Sequence, residues 1–141
     1  MRARRAQRWI PLLAAIVAAG AIASAVALAA VRASEPVEIR IRYSAFVPAT
    51  IHAQAGQPIE LAVRNDDPID HEWIVGDAAR HARHRDGTEP VHDARPTEIT
   101  VPAGELRRTT VTFDASGRYS FICHLPGHES YGMVGTVVVR P

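Results

Sequence analysis

This sequence has a single cysteine, Cys123, and no lysine at all. One cysteine excludes an internal disulfide framework. About a hundred residues follow the N-terminal stretch, enough to bury a core without such staples, so Cys123 needs another explanation. The lack of lysine leaves all sixteen basic residues as Arg, a trace of base composition that implies no function. Basic clusters are missing as well. Arg2, Arg4, Arg5, Arg8 and Arg32 precede Glu35, and the eleven later Arg face fifteen acids, leaving that part four charges negative. Nucleic-acid binding needs clustered Arg or Lys for the phosphates and is therefore excluded. There are no internal repeats, and no lipid-attachment cysteine follows the one long apolar run.

That run is uncharged and Ala-rich from Trp9 to Val31, behind the N-terminal Arg cluster. It exceeds the ~7–15 residue core of a signal peptide and approaches the ~20 residues that span a bilayer. Residues 1–34 read as a signal peptide or membrane anchor, with length leaning toward the anchor. The triplets Ala23-Ser24-Ala25, Ala27-Leu28-Ala29 and Val31-Arg32-Ala33 keep cleavage open. In either case the Arg cluster stays inside, and residues 35–141 are delivered to the periplasm or the outer face of the membrane.

From Pro36 onward apolar and polar residues alternate in short runs separated by Gly or Pro, the pattern of half-buried strands. Val37, Ile39, Ile41 and Tyr43 share one parity, as do Ile59, Leu61 and Val63. So do His71, Trp73 and Val75, and likewise Tyr119, Phe121 and Cys123. Thr97 to Val101, Leu106 to Phe113 and Val134 to Arg140 are further strands. Seven or so strands in about a hundred residues predict an all-β, antiparallel Greek-key β-sandwich.

Residues 77–96 break this pattern and read as an inserted polar loop with at most a helical turn. A loop of that length in a compact domain is functional or mobile. It carries His81, His84 and His92. These are candidate metal ligands, but with no Cys or carboxylate pattern to fix a geometry they read first as solvated histidines on a flexible loop.

The segment Phe121-Ile122-Cys123-His124-Leu125-Pro126-Gly127-His128 continues through Glu129-Ser130-Tyr131 to Gly132-Met133-Val134-Gly135. Taken singly, each candidate residue has a bland reading: a buried cysteine, a surface His beside Pro-Gly, a core Met. Together, Cys123, His128 and Met133 fall at intervals of five across a strand end, a tight loop and the start of the last strand. Thiolate, imidazole and thioether on one point suit a copper ion held in both oxidation states. Zinc is a poorer match, since Met is a weak zinc ligand.

The segment resembles the copper motif of the cupredoxins, the plastocyanin, azurin and amicyanin group. The resemblance implies Cys123 as thiolate ligand, His128 as second imidazole and Met133 as axial thioether of one type 1 copper. It also implies a first imidazole at the start of a strand after an Asn-containing loop. His71 fits that place, in Asn65-Asp66-Asp67-Pro68-Ile69-Asp70-His71, and its parity with Trp73 sends it inward. A hydrogen-bonded core histidine is the alternative. Asn65 matches the family's loop Asn and braces the site. The binuclear copper site of related domains needs a second Cys where Gly127 stands. His124 also resembles the extra histidine of multicopper oxidases, but strand alternation turns it away from Cys123 and their His-x-His pairs are absent, so it reads as a surface residue.

The resemblance implies a monomeric, non-enzymatic one-electron carrier cycling Cu(I) and Cu(II), meeting redox partner proteins transiently, with the membrane reached through the N-terminal segment. A copper-holding or copper-delivery protein is the alternative, and a small copper enzyme a weaker one.

Overall fold

The alternation of Val37, Ile39 and Ile41 becomes a strand whose Ile side chains are fully buried while Glu38 and Arg40 face out. The structure, a computed structural model, describes residues 35–89 and 95–141. The N-terminal segment, with its anchor-or-signal reading, and His92 lie outside the described residues. Among the described residues, no helix is long and apolar enough to cross a membrane.

The strands are β1 Val37–Ile41, β2 Phe46–Val47, β3 Thr50–Gln54, β4 Pro58–Asn65, β5 His71–Gly76, β6 Glu98–Val101, β7 Leu106–Thr112, β8 Gly117–Ile122 and β9 Val134–Arg140. One sheet runs β2-β1-β4-β7 and the other β3-β9-β8-β5-β6. They enclose one core, in which Trp73, Phe121, Leu61, Val63 and Val137 are at most 1% exposed. Each such side chain contributes about 1.5–3 kcal/mol by leaving water.

The sandwich is as expected, but its pairing is not wholly antiparallel. β1 lies parallel to β4, and β3 parallel to β9. The chain leaves β1 through β2, crosses to the opposite sheet as β3, and returns as β4. That crossover supplies the length a parallel pair requires. β3 itself, Thr-Ile-His-Ala-Gln, is not among the expected strands although it alternates, with Ile51 buried and Ala53 half-buried between exposed polar residues.

Two further expectations are corrected. Tyr43 does not continue β1: it is 81% exposed and, like Ser44, has positive φ (55° and 52°). This turn conformation disfavours residues with a Cβ, and it is held by both backbone N–H groups donating to the Asp67 carboxylate at 2.7 Å. The 77–96 insertion contains a two-turn helix, α1 Ala78–Arg85. Asp77 caps it by accepting the Arg80 N–H at 2.8 Å, Ala and Arg favour it within, and Gly87 (φ 66°) ends it.

Topology then places the site. β8 is antiparallel to both β5 and β9, with Ile122 beside Ile74 and Val134. The end of β8 and the starts of β5 and β9 therefore share one edge of the sandwich.

Candidate metal centre

His71 opens β5, Cys123 follows β8, His128 rides the intervening loop and Met133 precedes β9. The loop is closed by its own backbone. His128 N–H donates to Leu125 C=O (3.0 Å), Met133 N–H to His128 C=O (3.0 Å), and Cys123 N–H to Met133 C=O (3.3 Å). Gly127 and Gly132 take φ of 86° and 92°, which residues with a Cβ rarely adopt. The tight return that brings residues 123, 128 and 133 together depends on them.

The ligand-type atoms of His71, Cys123 and His128 all lie within 4.8 Å of one another. His71 Nδ1 and Cys123 Sγ are each 3.2 Å from His128 Nδ1. His71, Cys123 and Met133 are fully buried, while His128 is half-buried. Met133 joins the group through the backbone bonds just described. The four expected residues thus occupy one end of the sandwich, with three of their donor atoms converging.

The orientation of His71 is fixed from behind. Its Nε2 lies 3.1 Å from Asp67 Oδ2; the carboxylate only accepts, so Nε2 carries the hydrogen and Nδ1 presents its lone pair. Burial first, opposed by Asp67, holds the His71 pKa below its ordinary value, which keeps the ring neutral. Burial pushes the Cys123 thiol up, with the backbone N–H groups of Glu72 and Leu125 pulling the other way. The Glu72 N–H reaches Sγ at 3.3 Å.

Asn65 braces the site indirectly. Its side chain is fully buried and donates to Ile69 C=O (2.7 Å) and Val101 C=O (2.9 Å), while accepting the Asp67 N–H at 3.0 Å. It shapes the loop that presents Asp67. Asp67 itself was missed in the sequence; an acid four residues ahead of His71 was its only signal.

His124 does point away from Cys123, but not into water. α1 covers that side of the sheet, and the His124 side chain is 7% exposed. His81 is 2% exposed, and the His84 side chain is 2% exposed. The readings of His124 as a surface residue and of His81 and His84 as solvated are therefore corrected: a helix whose inner face is imidazole covers the sheet. Burial, then His81 nearby, brings the His124 pKa down to about 4.

The donor set fits copper: one thiolate-forming sulfur, two imidazole nitrogens, and a buried thioether residue. Residues 12–139 match the Cupredoxin-like domain family. The chain is 35% identical over 98 residues to the copper-resistant cuproprotein CopI of Rubrivivax gelatinosus, covering 67% of this chain and 59% of that one. To the protein of the same name from Pseudomonas aeruginosa it is 28% identical over 145 residues, covering 79% and 80%. The chain thus spans about three-fifths of the Rubrivivax relative. Among solved structures, reduced auracyanin from Roseiflexus castenholzii superposes with a TM-score of 0.63 at 25% identity, over 77% of this chain and 99% of that one. Auracyanin A of Chloroflexus aurantiacus, described as a "blue" copper protein, gives 0.59 at 25% identity, over 75% and 98%. With the sandwich, the His-Cys-His cluster and these likenesses in agreement, the chain belongs to the cupredoxin family and binds one copper ion there.

Proposed function

We propose that this chain is an extracytoplasmic type 1 copper protein working in copper resistance, its copper held by His71, Cys123, His128 and Met133 and cycled between Cu(I) and Cu(II) as a one-electron carrier. The observation that carries this reading is the convergence of His71 Nδ1, Cys123 Sγ and His128 Nδ1 within 4.8 Å, with His71 aimed by Asp67. When bound, copper supplies a one-electron couple. The chain's residues supply a ligand set acceptable to both oxidation states, and burial of His71, Cys123 and Met133 keeps water from the metal. Binding releases the Cys123 thiol proton.

His128, the half-buried member of the cluster, is the natural route for the electron. Around it the loops expose Pro126 and Tyr131, and the neighbouring loop exposes Ile69. This is an apolar surface suited to brief docking of a redox partner. The copper-resistance role rests on the two CopI relatives. Their names also favour a second reading, in which copper is held and passed on while redox change is incidental.

Cu(II) added to the full chain is expected to produce an intense visible thiolate-to-copper band that Cys123→Ser abolishes. Persistence of the band in that variant would overturn the site. Fast reduction and reoxidation by a small inorganic couple, with slow loss of copper to a chelator, is expected of the carrier. The reverse pattern selects the holding role.

A further inference from the structure

Helix α1 does more than cover the sheet. His81, His84 and Arg85, at i, i+3 and i+4, share one face of it, and that face meets the loop between Cys123 and Met133 at two points. His81 holds the start of the loop. Its Nε2 lies 3.1 Å from the Ser120 carbonyl oxygen, which only accepts, so Nε2 carries the hydrogen and Nδ1 is free to accept. His124 Nε2, 2.9 Å away, donates to it, and one chain of hydrogen bonds then runs from His124 through His81 to β8. His84 stacks on the His124 ring with centroids 5.3 Å apart at 17°.

Arg85 holds the middle of the loop. Its Nε and Nη2 donate to both carboxylate oxygens of Glu129 at 2.5–3.1 Å, a fork that fixes position as well as charge. His124 Nδ1 is 3.4 Å from Glu129 Oε2, too far for a good hydrogen bond, so the guanidinium is what holds this carboxylate. The Glu129 C=O in turn accepts the Gly132 N–H at 2.9 Å. Arg85 therefore grips a residue built into the turn that returns the chain to Met133.

His124 adjoins Cys123, and Glu129 adjoins His128. The two attachments thus flank His128, the half-buried ligand. His71, Cys123 and Met133 are fully buried, so His128 is the ligand that must move for copper to enter or leave. Separate contacts fix the helix itself: Arg80 donates to Thr97 Oγ1 at 2.7 Å and Arg83 to Glu89 at 2.9 Å. A helix pinned in this way can restrain a loop.

We propose that α1 is a clasp on the copper loop, with His81 and Arg85 as positioning residues that hold His128 in place and slow the loss of copper. Neither touches the metal; each acts through the neighbour of a ligand. The proposal rests on the copper site described above, and it suits an electron carrier and a holding protein alike. A loop that cannot shift limits both geometric change at the metal and its escape.

The test is transfer of copper from the loaded full chain to excess chelator, followed by decay of the thiolate-to-copper band. Arg85→Gln is expected to release copper about three- to fivefold faster, Glu129→Gln to match it, and the double variant to add nothing further. Arg85→Lys, which keeps the charge and loses the fork, should fall between. His81→Leu, which breaks the chain to His124, should speed release about tenfold. Arg83→Gln is the control: it cuts the tie between α1 and Glu89 and leaves the loop contacts intact, so it should melt at a lower temperature and release copper at the unaltered rate. Unchanged release in Arg85→Gln, or equally fast release in Arg83→Gln, would overturn the clasp, because α1 would then act through general stability alone. Should His81→Leu fail to fold, the Arg85 and Glu129 variants decide. A band missing from the unaltered chain would remove the copper site and the clasp with it, whereas a normal band with unchanged release in Arg85→Gln removes the clasp alone.

Discussion

Asp67 shows how one side chain connects backbone to site. Its carboxylate accepts the Tyr43 and Ser44 N–H groups at 2.7 Å, holding a turn of positive φ, and lies against His71 Nε2. Removing it frees both the turn and the imidazole. Asp67→Ala is expected to weaken copper binding about 10–100-fold, measured by competition with a chelator; unchanged affinity would mean that packing alone orients His71. Gly135 sets another limit at this scale. It pairs with Phe121 across β8 and β9, and a Cβ there would fall 2.1 Å from the Phe121 ring. Gly135→Ala is expected to cost about 1–3 kcal/mol by overpacking, read from urea denaturation.

Helix α1 illustrates how an element escapes notice when its buried face is polar. Periodicity looks for apolar residues at helical spacing, whereas the inward residues here are His81 and His84. Its cap, its Ala and Arg content and its closing Gly87 were legible; what it covered was not. The helix is tied to the chain beyond it by Glu89, which accepts from Arg83 at 2.9 Å and from Arg95 at 2.8 Å. Arg83 first, with Arg95, holds the Glu89 carboxyl below its ordinary value of 4.5. A carboxyl depressed in the folded state stabilises above that value, and the contribution is lost as pH falls through the folded one. Glu89→Gln is therefore expected to melt below the unaltered chain at pH 7, with the gap closing as pH drops below 4.5. A gap independent of pH would show that charge is not involved.

At the scale of the molecule, the chain from Glu35 is net acidic and carries its copper at one end, with Tyr131 (85% exposed) and Ile69 (48% exposed) on the loops there. If electrons leave through His128, two copies of the protein should exchange them across this surface. Tyr131→Glu, which places like charges at that contact, is expected to slow electron self-exchange about tenfold with the visible spectrum unchanged. An unaltered rate, measured by NMR on mixtures of oxidised and reduced protein, would move the route elsewhere.

The sequence by itself determined the strand-rich sandwich and the Cys123, His128 and Met133 grouping, because strand parity and a short loop are local properties of the chain. It pointed to His71 by parity and family resemblance, and the fold brought that residue to the others. Tertiary structure decided the rest. The parallel pairing of β1 with β4 arises from a crossover between sheets. The role of Asp67 depends on a turn 23 residues upstream, and the burial of His124 on a helix 39 or more residues before it along the chain. Alternation states which way a side chain points; only packing states what waits for it there.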